Sequence, residues 1–198
     1  CSSNATQTVQ VRDSCTSKTF VLFHHEGSLT QAWRSESAVV FADGNLLLSG
    51  GSVLTSNVPA AFPKAFFIKT KTDGAILWSK LVGINYLYEA TSSSVATKDG
   101  GFAALISQES LAPVGQVPPY SLFLVKFSLN GDIEWTRKVS DVIKARFDLI
   151  TDNDGSLIVG NRFKFDLDGN LLWQKNYAVN RSPKTAPCPD GGFVSVGS

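Results

Sequence analysis

Residues 70–80 read TKTDGAILWSK, and two later stretches repeat this order of residue types. Residues 127–137 read FSLNGDIEWTR, and residues 165–175 read FDLDGNLLWQK. In each stretch an Asp-Gly or Asn-Gly pair is flanked by β-prone residues, which predicts two strands joined by a two-residue type I′ turn. The turn glycines are Gly74, Gly131 and Gly169. The three stretches therefore predict three copies of one β-hairpin.

A two-residue turn also fixes which residues of a hairpin face each other. Counting outward from the turn places Lys69 opposite Trp78 in the first hairpin. Directly opposed residues share a face of the sheet, so the lysine stem is expected to lie along the indole. The same count gives the equivalent pairs Lys126–Trp135 and Lys164–Trp173.

The tryptophans occupy one position in each repeat, which favours packing between repeats over a sugar-binding platform. A basic residue follows each tryptophan by two positions and shares its strand face. We interpret these basic residues first as solvating the sheet edge and second as an anion-binding ring: Lys80, Arg137 and Lys175.

A second pattern, an Asp-Gly turn followed by a short apolar strand, precedes each hairpin. Its four versions are FADGNLLLSGG (41–51), TKDGGFAALIS (97–107), TDNDGSLIVGN (151–161) and CPDGGFVSVGS (188–198). The whole unit reads strand, turn, strand, loop, strand, tight turn, strand over about 40–55 residues. Four antiparallel strands at that period predict an all-β chain, specifically a β-propeller of four-stranded blades.

About four blades are expected in the chain. Residues 1–17 form a tether, and residues 18–198 form the propeller: a half blade at 18–36, blades at 37–82, 90–139 and 145–178, and a half blade at 184–198. The N-terminal half blade, with Gly27 and Trp33, is expected to complete the C-terminal one. A closing blade shared by the two ends would hide two sheet edges. Closure between chains, as a dimer or a filament, is the alternative.

The order hydrophobic-x-K-x-x-x-D/N-G-x-x-x-W resembles the repeats of quinoprotein-like (PQQ-type) propellers. It is also similar to repeats of bacterial surface and secreted propellers. The resemblance covers about residues 18–198. It implies the propeller fold but does not select an activity, because some members of these families are dehydrogenases and others are lipoprotein scaffolds that bind protein partners.

Composition excludes several classes of function. The chain has 198 residues, 43% hydrophobic content and a formal net charge of +1, which gives no electrostatic case for nucleic-acid binding. No apolar run approaches the roughly 20 residues of a transmembrane helix.

No catalytic, cofactor-binding or metal-binding residue is predicted. His24-His25-Glu26 is interpreted as a hairpin tip, because adjacent strand residues point to opposite faces. The acidic groups of DNDG (152–155) and DLDGN (166–170) are explained by turn formation without calcium.

The start of the sequence favours export. The chain contains no methionine and begins at Cys1, which predicts processing from a precursor. A mature chain of this kind resembles a bacterial lipoprotein, in which Cys1 would carry the lipid; another proteolytic cut is the alternative. If Cys1 is lipidated, Cys15 and Cys188 are left as a candidate disulfide in an oxidising compartment. Asn4 and Asn180 are candidate glycosylation sites.

The expected function is a non-catalytic, exported scaffold for binding or assembly at the cell surface, in the periplasm or outside the cell. A protein or glycan ligand is expected at the propeller end that carries the variable loops, 53–64 and 108–120. No nucleic acid and no transmembrane segment is expected. Two alternatives stay open: a self-assembling, homo-oligomeric structural subunit with blades completed between chains, and a quinoprotein-like oxidoreductase.

Overall fold

A computed structural model describes residues 31–54, 64–83, 88–109, 120–141, 147–175, 184–190 and 192–196. The regular elements in these ranges are all β-strands, arranged in three four-stranded antiparallel sheets and one two-stranded sheet. Within these ranges no helix is long and apolar enough to cross a lipid bilayer. The prediction of an all-β chain built from repeated four-stranded antiparallel sheets is confirmed.

The strands follow one another in space as they do in sequence. Sheet 1 contains β1 (Gln31–Val40), β2 (Leu46–Leu54), β3 (Ala65–Thr70) and β4 (Ile76–Val82). Sheet 2 contains β5 (Tyr88–Ala96), β6 (Phe102–Glu109), β7 (Tyr120–Phe127) and β8 (Ile133–Ser140). Sheet 3 contains β9 (Leu149–Thr151), β10 (Leu157–Val159), β11 (Phe163–Phe165) and β12 (Leu171–Gln174). Sheet 4 contains β13 (Lys184–Pro187) and β14 (Phe193–Val196).

The turns differ from the predicted type I′ form. In the first hairpin the Gly74 N–H donates to the Lys71 carbonyl, and the Lys71 N–H donates to the Ala75 carbonyl. This is a three-residue loop, a type I turn followed by a glycine with positive φ. Asp73 holds the turn by accepting the Ala75 N–H at 3.0 Å. The tight-turn prediction is right in position and wrong in type.

The predicted cross-strand pairs nevertheless form, because two deviations cancel. Beside the three-residue loop, Thr70 lies opposite Ile76, whereas a two-residue turn would have placed it opposite Leu77. A β-bulge then restores the predicted pairing of Lys69 with Trp78. Lys126 lies opposite Trp135 and Lys164 opposite Trp173 through the same compensation.

The C-terminal part of the predicted half blade at 18–36 belongs to a different strand from the one predicted. Gln31–Val40 is one continuous strand paired with β2, and within it Trp33 lies opposite Ser52. Residues 31–36 are therefore used as the first strand of sheet 1, and Trp33 is not left for a separate fourth strand. Residues 18–30 lie outside the described residues.

The sheets pack face to face in sequence order around two apolar cores. The first core joins sheets 1 and 2, with Leu47 and Phe67 against Phe102 and Phe127. The Phe102 and Phe127 rings stack at 4.6 Å between centroids. The second core joins sheets 2 and 3, where Leu105 packs with residues of β9 and β10. Burial of these side chains supplies the main driving force for the stacking.

Neighbouring sheets are also linked through their first strands. At each step, a side chain six positions before the turn aspartate accepts a backbone N–H from the next sheet. The three bonds are Ser94 N–H to Ser37 Oγ (3.1 Å), Leu149 N–H to Ser93 Oγ (3.1 Å) and Thr185 N–H to Asp148 Oδ2 (3.0 Å). Sheet 4 therefore follows sheet 3 by the same geometric rule that orders the others.

Candidate functional site

The repeated lysine joins the two turns of its own sheet. In sheet 2, Lys126 Nζ lies 2.8 Å from Asp99 Oδ2, the aspartate of the turn between β5 and β6, and 2.8 Å from Glu134 Oε2 on β8. The equivalent pairs are Lys69 with Asp43 at 3.9 Å and Lys164 with Asp154 at 3.0 Å. Each sheet of four strands thus carries one cation on its third strand that holds the acidic first turn.

These pairs give the lysines a role beyond the predicted contact of their stems with the tryptophans. The Lys126 side chain is 1% exposed, and its ammonium is neutralised by carboxylates. In sheet 1, Lys69 Nζ also lies 4.2 Å from the centroid of Phe41. The lysines are structural ion-pair partners, and they are not free to bind an external anion.

The electrostatics of the turns agree with this role. Burial acts to raise the pKa of Asp99, but hydrogen bonds from Lys126, Thr97 and Gly101 outweigh it and leave the pKa below its usual value. The backbone N–H of Ser156, followed by Lys164, lowers the pKa of Asp154 to about 2. The carboxylates are ionised because the turns and the lysines bind them.

Two of the three basic residues that follow the tryptophans, Lys80 and Arg137, bind the next sheet. Lys80 Nζ donates to Asp132 Oδ1 of sheet 2 at 2.6 Å and lies 6.0 Å from the Trp78 centroid. Trp78 itself stacks on Phe102 at 6.1 Å, and a Cβ added to Gly131 would lie 3.0 Å from its ring. The fourth strand of sheet 1 is thus fitted to the second hairpin turn of sheet 2.

The step from sheet 2 to sheet 3 repeats these contacts. Trp135 Nε1 donates to the Leu167 carbonyl at 2.8 Å, and Arg137 Nε donates to the Gly169 carbonyl at 2.9 Å. A Cβ on Gly169 would lie 3.0 Å from the Trp135 ring. The prediction that the tryptophans pack between repeats is confirmed for both steps.

Between sheets 3 and 4, the described residues make only some of these contacts. Trp173 stacks on Phe193 of β14 at 6.0 Å, as Trp78 stacks on Phe102. Lys175 Nζ lies 4.8 Å from the Trp173 centroid. In the part of the chain that the structure describes, sheet 4 contains no third and fourth strands, so no hairpin turn lies on Trp173 and Lys175.

Sheet 4 exposes two valines on one face, beside a lysine that lies opposite Val196. We call this surface the open face: Lys184, Val194 and Val196. Phe193 points to sheet 3, whereas Val194, one residue later, points away from it. Val194 is 51% exposed and Val196 70% exposed. In the other three sheets the residue at the position of Val194 is 0–1% exposed: Leu47, Ala103 and Ile158. The open face therefore carries an apolar side chain at a position that is buried in each of the other three sheets.

Two further features of sheet 4 mark the same place. Among the described strands, β14 pairs only with β13, along one of its two edges. Asp190 accepts the Gly192 N–H at 3.0 Å, but no described lysine reaches it as Lys126 reaches Asp99. The candidate functional site consists of the β14 edge, Asp190, Trp173 and Lys175.

The carboxylates of the acidic turns accept hydrogen bonds from their own turn or from a lysine of the same sheet. Asp166 accepts the Asp168 and Asn170 N–H groups and the Asn170 side-chain amide, at 2.8–3.0 Å. Asp152 and Asp154 both accept from Lys164. No group of three or more His, Cys, Asp or Glu side chains able to hold a metal ion occurs within the described ranges.

Several predicted sites lie outside the described residues: Cys1, Asn4, Cys15, His24-His25-Glu26, Asn180 and most of the loops 53–64 and 108–120. Cys188 is described and has a free thiol. The lipid, the glycans and the Cys15–Cys188 disulfide stay predictions. The strand ends that border the two loops lie at one end of each sheet and the Asp-Gly turns at the other end, because the strands alternate in direction.

The comparison with known proteins gives no identification: neither a protein-family model nor a curated protein matches the chain.

Proposed function

We propose that the chain is a non-catalytic scaffold of β-propeller type that binds or assembles with another polypeptide through the open face and the edge of β14. Three consecutive four-stranded sheets, ordered as in a propeller and joined by the same contacts at each step, support this architecture. The resemblance to quinoprotein-like and bacterial surface repeats, carried by the Lys, Gly and Trp positions, points the same way.

The observation that carries the proposal is the exposure of Val194 at a position that is fully buried in the three complete sheets. Covering Val194 and Val196 would contribute about 1–2 kcal/mol for each side chain. A strand added to the free edge of β14 would supply backbone hydrogen bonds as well. An apolar face beside an unpaired strand edge is a typical protein-binding surface.

A scaffold is favoured over an enzyme because the repeated polar residues serve the structure. Each lysine binds the carboxylate of a turn, and two of the cations that follow the tryptophans bind the next sheet. The oxidoreductase alternative requires a cradle for PQQ and calcium, and no observation here favours it. Export to the cell surface and lipid attachment at Cys1 remain predictions from the sequence.

Closure of a four-bladed ring through the bonds between first strands is not favoured. Lys184 occupies the position at which Ser37, Ser93 and Asp148 accept an N–H from the next sheet. A lysine ammonium has no acceptor. Lys184 turns back instead and donates to Asp148 Oδ1 at 2.8 Å. The series of bonds therefore stops at sheet 4.

Site-specific photo-crosslinking tests the proposal. A photo-reactive amino acid replaces Val196, which is 70% exposed, and in a matched control it replaces Val40, which is 68% exposed on β1. Both proteins are irradiated in the native host, and adducts are identified by mass spectrometry. We expect one recurrent, identified polypeptide at position 196 and none at position 40. Absence of a polypeptide adduct at 196, or the same adducts at both positions, would contradict the proposal.

Self-assembly is the second candidate, favoured by the edge of β14 that no described strand covers. It predicts that the adduct at position 196 is the chain itself. Light scattering over a hundredfold range of concentration should then show a mass that rises with concentration and a Val194→Lys variant that stays monomeric.

A further inference from the structure

We propose that Asn130 is a site of spontaneous deamidation, and that the contact of its turn with sheet 1 controls how fast this modification occurs. Asn130 and Gly131 form the one Asn-Gly pair in the sequence. Asparagine is among the thermolabile residues of proteins, and a following glycine leaves its backbone nitrogen uncrowded because it has no side chain. The site is separate from the open face and does not depend on the proposed function.

The reaction needs only water and these two residues. The Gly131 nitrogen, after losing its proton to the solvent, attacks Cγ of Asn130, so that a C–N bond forms, the Cγ–Nδ2 bond breaks and ammonia leaves. Water then opens the resulting succinimide ring. Attack of water at Cγ gives aspartate, whereas attack at the backbone carbonyl carbon gives isoaspartate, in which the main chain runs through Cβ and Cγ. The net change is the hydrolysis of an amide to a carboxylic acid and ammonia.

Within the folded turn the attacking nitrogen is already engaged. The Gly131 N–H donates to the Ser128 carbonyl at 2.9 Å, and the Ser128 N–H donates to the Asp132 carbonyl at 2.8 Å. The Ser128 hydroxyl accepts the N–H groups of Asn130 and Asp132 at 3.3 and 3.2 Å. Asn130 itself is exposed, so water reaches its side chain. Cyclisation therefore requires a local opening of the turn, which frees the Gly131 nitrogen to approach Cγ.

Strand β4 of sheet 1 holds this turn closed. Lys80 Nζ donates to Asp132 Oδ1 at 2.6 Å. A Cβ built on Gly131 would lie 3.0 Å from Cη2 of Trp78, so the indole covers the glycine closely. Because an opening of the turn must break these contacts, the rate of deamidation depends on the junction between sheets 1 and 2 as well as on the turn itself.

The same contacts distinguish the two products. Asp73 and Asp168 occupy the position of Asn130 in the other two hairpin turns, so an aspartate suits this turn. Isoaspartate adds a methylene to the main chain directly before Gly131, where the Trp78 ring leaves little space. We expect the isoaspartate form to lose the contacts with sheet 1 and the aspartate form to keep them.

Ageing of the purified 198-residue protein tests the proposal. Trypsin releases residues 127–137, FSLNGDIEWTR, because Lys126 precedes this stretch and Arg137 ends it. The protein and a synthetic peptide of the same sequence are incubated in parallel in mildly alkaline buffer, and mass spectrometry measures aspartate and isoaspartate at position 130. We expect the modification in both, and about tenfold or more slower in the protein because the folded turn binds the Gly131 N–H.

A matched pair of variants tests the control by sheet 1. Trp78→Phe places a smaller ring over Gly131 and should accelerate deamidation about threefold by making the turn easier to open. Trp173→Phe makes the same change at a ring that stacks on Phe193 of sheet 4, and it should leave the rate unchanged. Urea unfolding of both variants shows whether their losses of stability are comparable.

The products supply an arm that needs no destabilising variant. The modified fraction of aged wild-type protein is collected by ion exchange, and its isoaspartate molecules should show faster amide hydrogen exchange in residues 76–82 and 128–132. Freshly made Asn130→Asp protein should exchange like unaged wild type. The inference is overturned if position 130 stays unmodified in the protein, if protein and peptide react at the same rate, if the two tryptophan variants change the rate equally, or if isoaspartate leaves the exchange of both segments unaltered.

Discussion

Neutralising the two carboxylates around Lys126 should destabilise the protein far more than removing the lysine itself. The first perturbation is the double substitution D99N/E134Q, which keeps the shapes of both side chains and removes both charges. The second is K126M, which keeps most of the stem and removes the ammonium. Both remove the same two ion pairs, whose Nζ–oxygen distances are 2.8 Å.

The expected asymmetry comes from where the charges lie. The Lys126 side chain is 1% exposed, whereas Asp99 and Glu134 are 44% and 45% exposed. D99N/E134Q leaves a cation buried without a counter-charge, for which we expect a loss of about 3 kcal/mol in the free energy of unfolding. K126M leaves two carboxylates that water can reach, so its cost should stay within about 1 kcal/mol.

Equilibrium unfolding in urea measures the difference. With a slope of about 2 kcal/mol per molar, the midpoint should fall by about 1.5 M for D99N/E134Q and by about 0.5 M or less for K126M. The slopes should match that of the wild type, since a changed slope would indicate an altered unfolded state. Equal losses for the two variants, or a larger loss for K126M, would refute the assignment of Lys126 as a buried charge held by its neighbours.

Three further outcomes are expected. Gly169→Ala should lower the free energy of unfolding by about 1 kcal/mol more than Gly100→Ala. Both glycines have φ above 80°, but of the two only Gly169 would place its Cβ 3.0 Å from a tryptophan ring. Urea unfolding of both variants measures the difference, and equal losses would contradict the packing at Trp135. The pKa of Asp154 is lowered from 3.8 to about 2, so its contribution to stability is complete above about pH 4 and is lost as the pH falls through about 2. The free energy of unfolding of the wild type should exceed that of Asp154→Asn by about 1 kcal/mol at pH 6, a value discounted because the side chain is 57% exposed, and the difference should shrink between pH 4 and pH 2. Asp148→Ala removes the acceptor of the Thr185 N–H, so amide hydrogen exchange should quicken in residues 184–196 and not in sheet 1; uniform quickening would point to global destabilisation instead.

The sequence was sufficient for features set by local spacing. The turn glycines and the opposed Lys–Trp pairs were predictable because both lie within a dozen residues of one turn. The turn type was wrong, and the pairs were still right, because a β-bulge offsets the one-residue change of register that the three-residue loop introduces. The strand that contains Trp33 was predicted wrongly. The distance of Trp33 from Gly27 suggested the fourth strand of a divergent hairpin, whereas Trp33 lies in β1, which pairs with β2, the next strand in the sequence.

Contacts between elements far apart in the sequence could not be predicted in the same way. The pair of Lys126 with Asp99 depends on the register between β6 and β7, across a connection whose length differs between repeats. The bond from Lys80 to Asp132 spans 52 positions and depends on how two sheets stack. The open face could be recognised only by comparing the exposure of Val194 with that of its equivalents.

The contacts of the tryptophans and of the cations that follow them run in one direction along the chain. At each of the first two steps the tryptophan and the cation after it belong to the earlier sheet, and the hairpin turn belongs to the later one. Each of these two junctions places the fourth strand of one sheet against the second hairpin turn of the next. A gene segment encoding one unit could be duplicated in frame and keep the tryptophan contacts of a junction, whereas the acidic partner of Lys80 is present only in sheet 2, at Asp132. Proteins of this design can change length in evolution by whole units, with curvature as the main limit on their number.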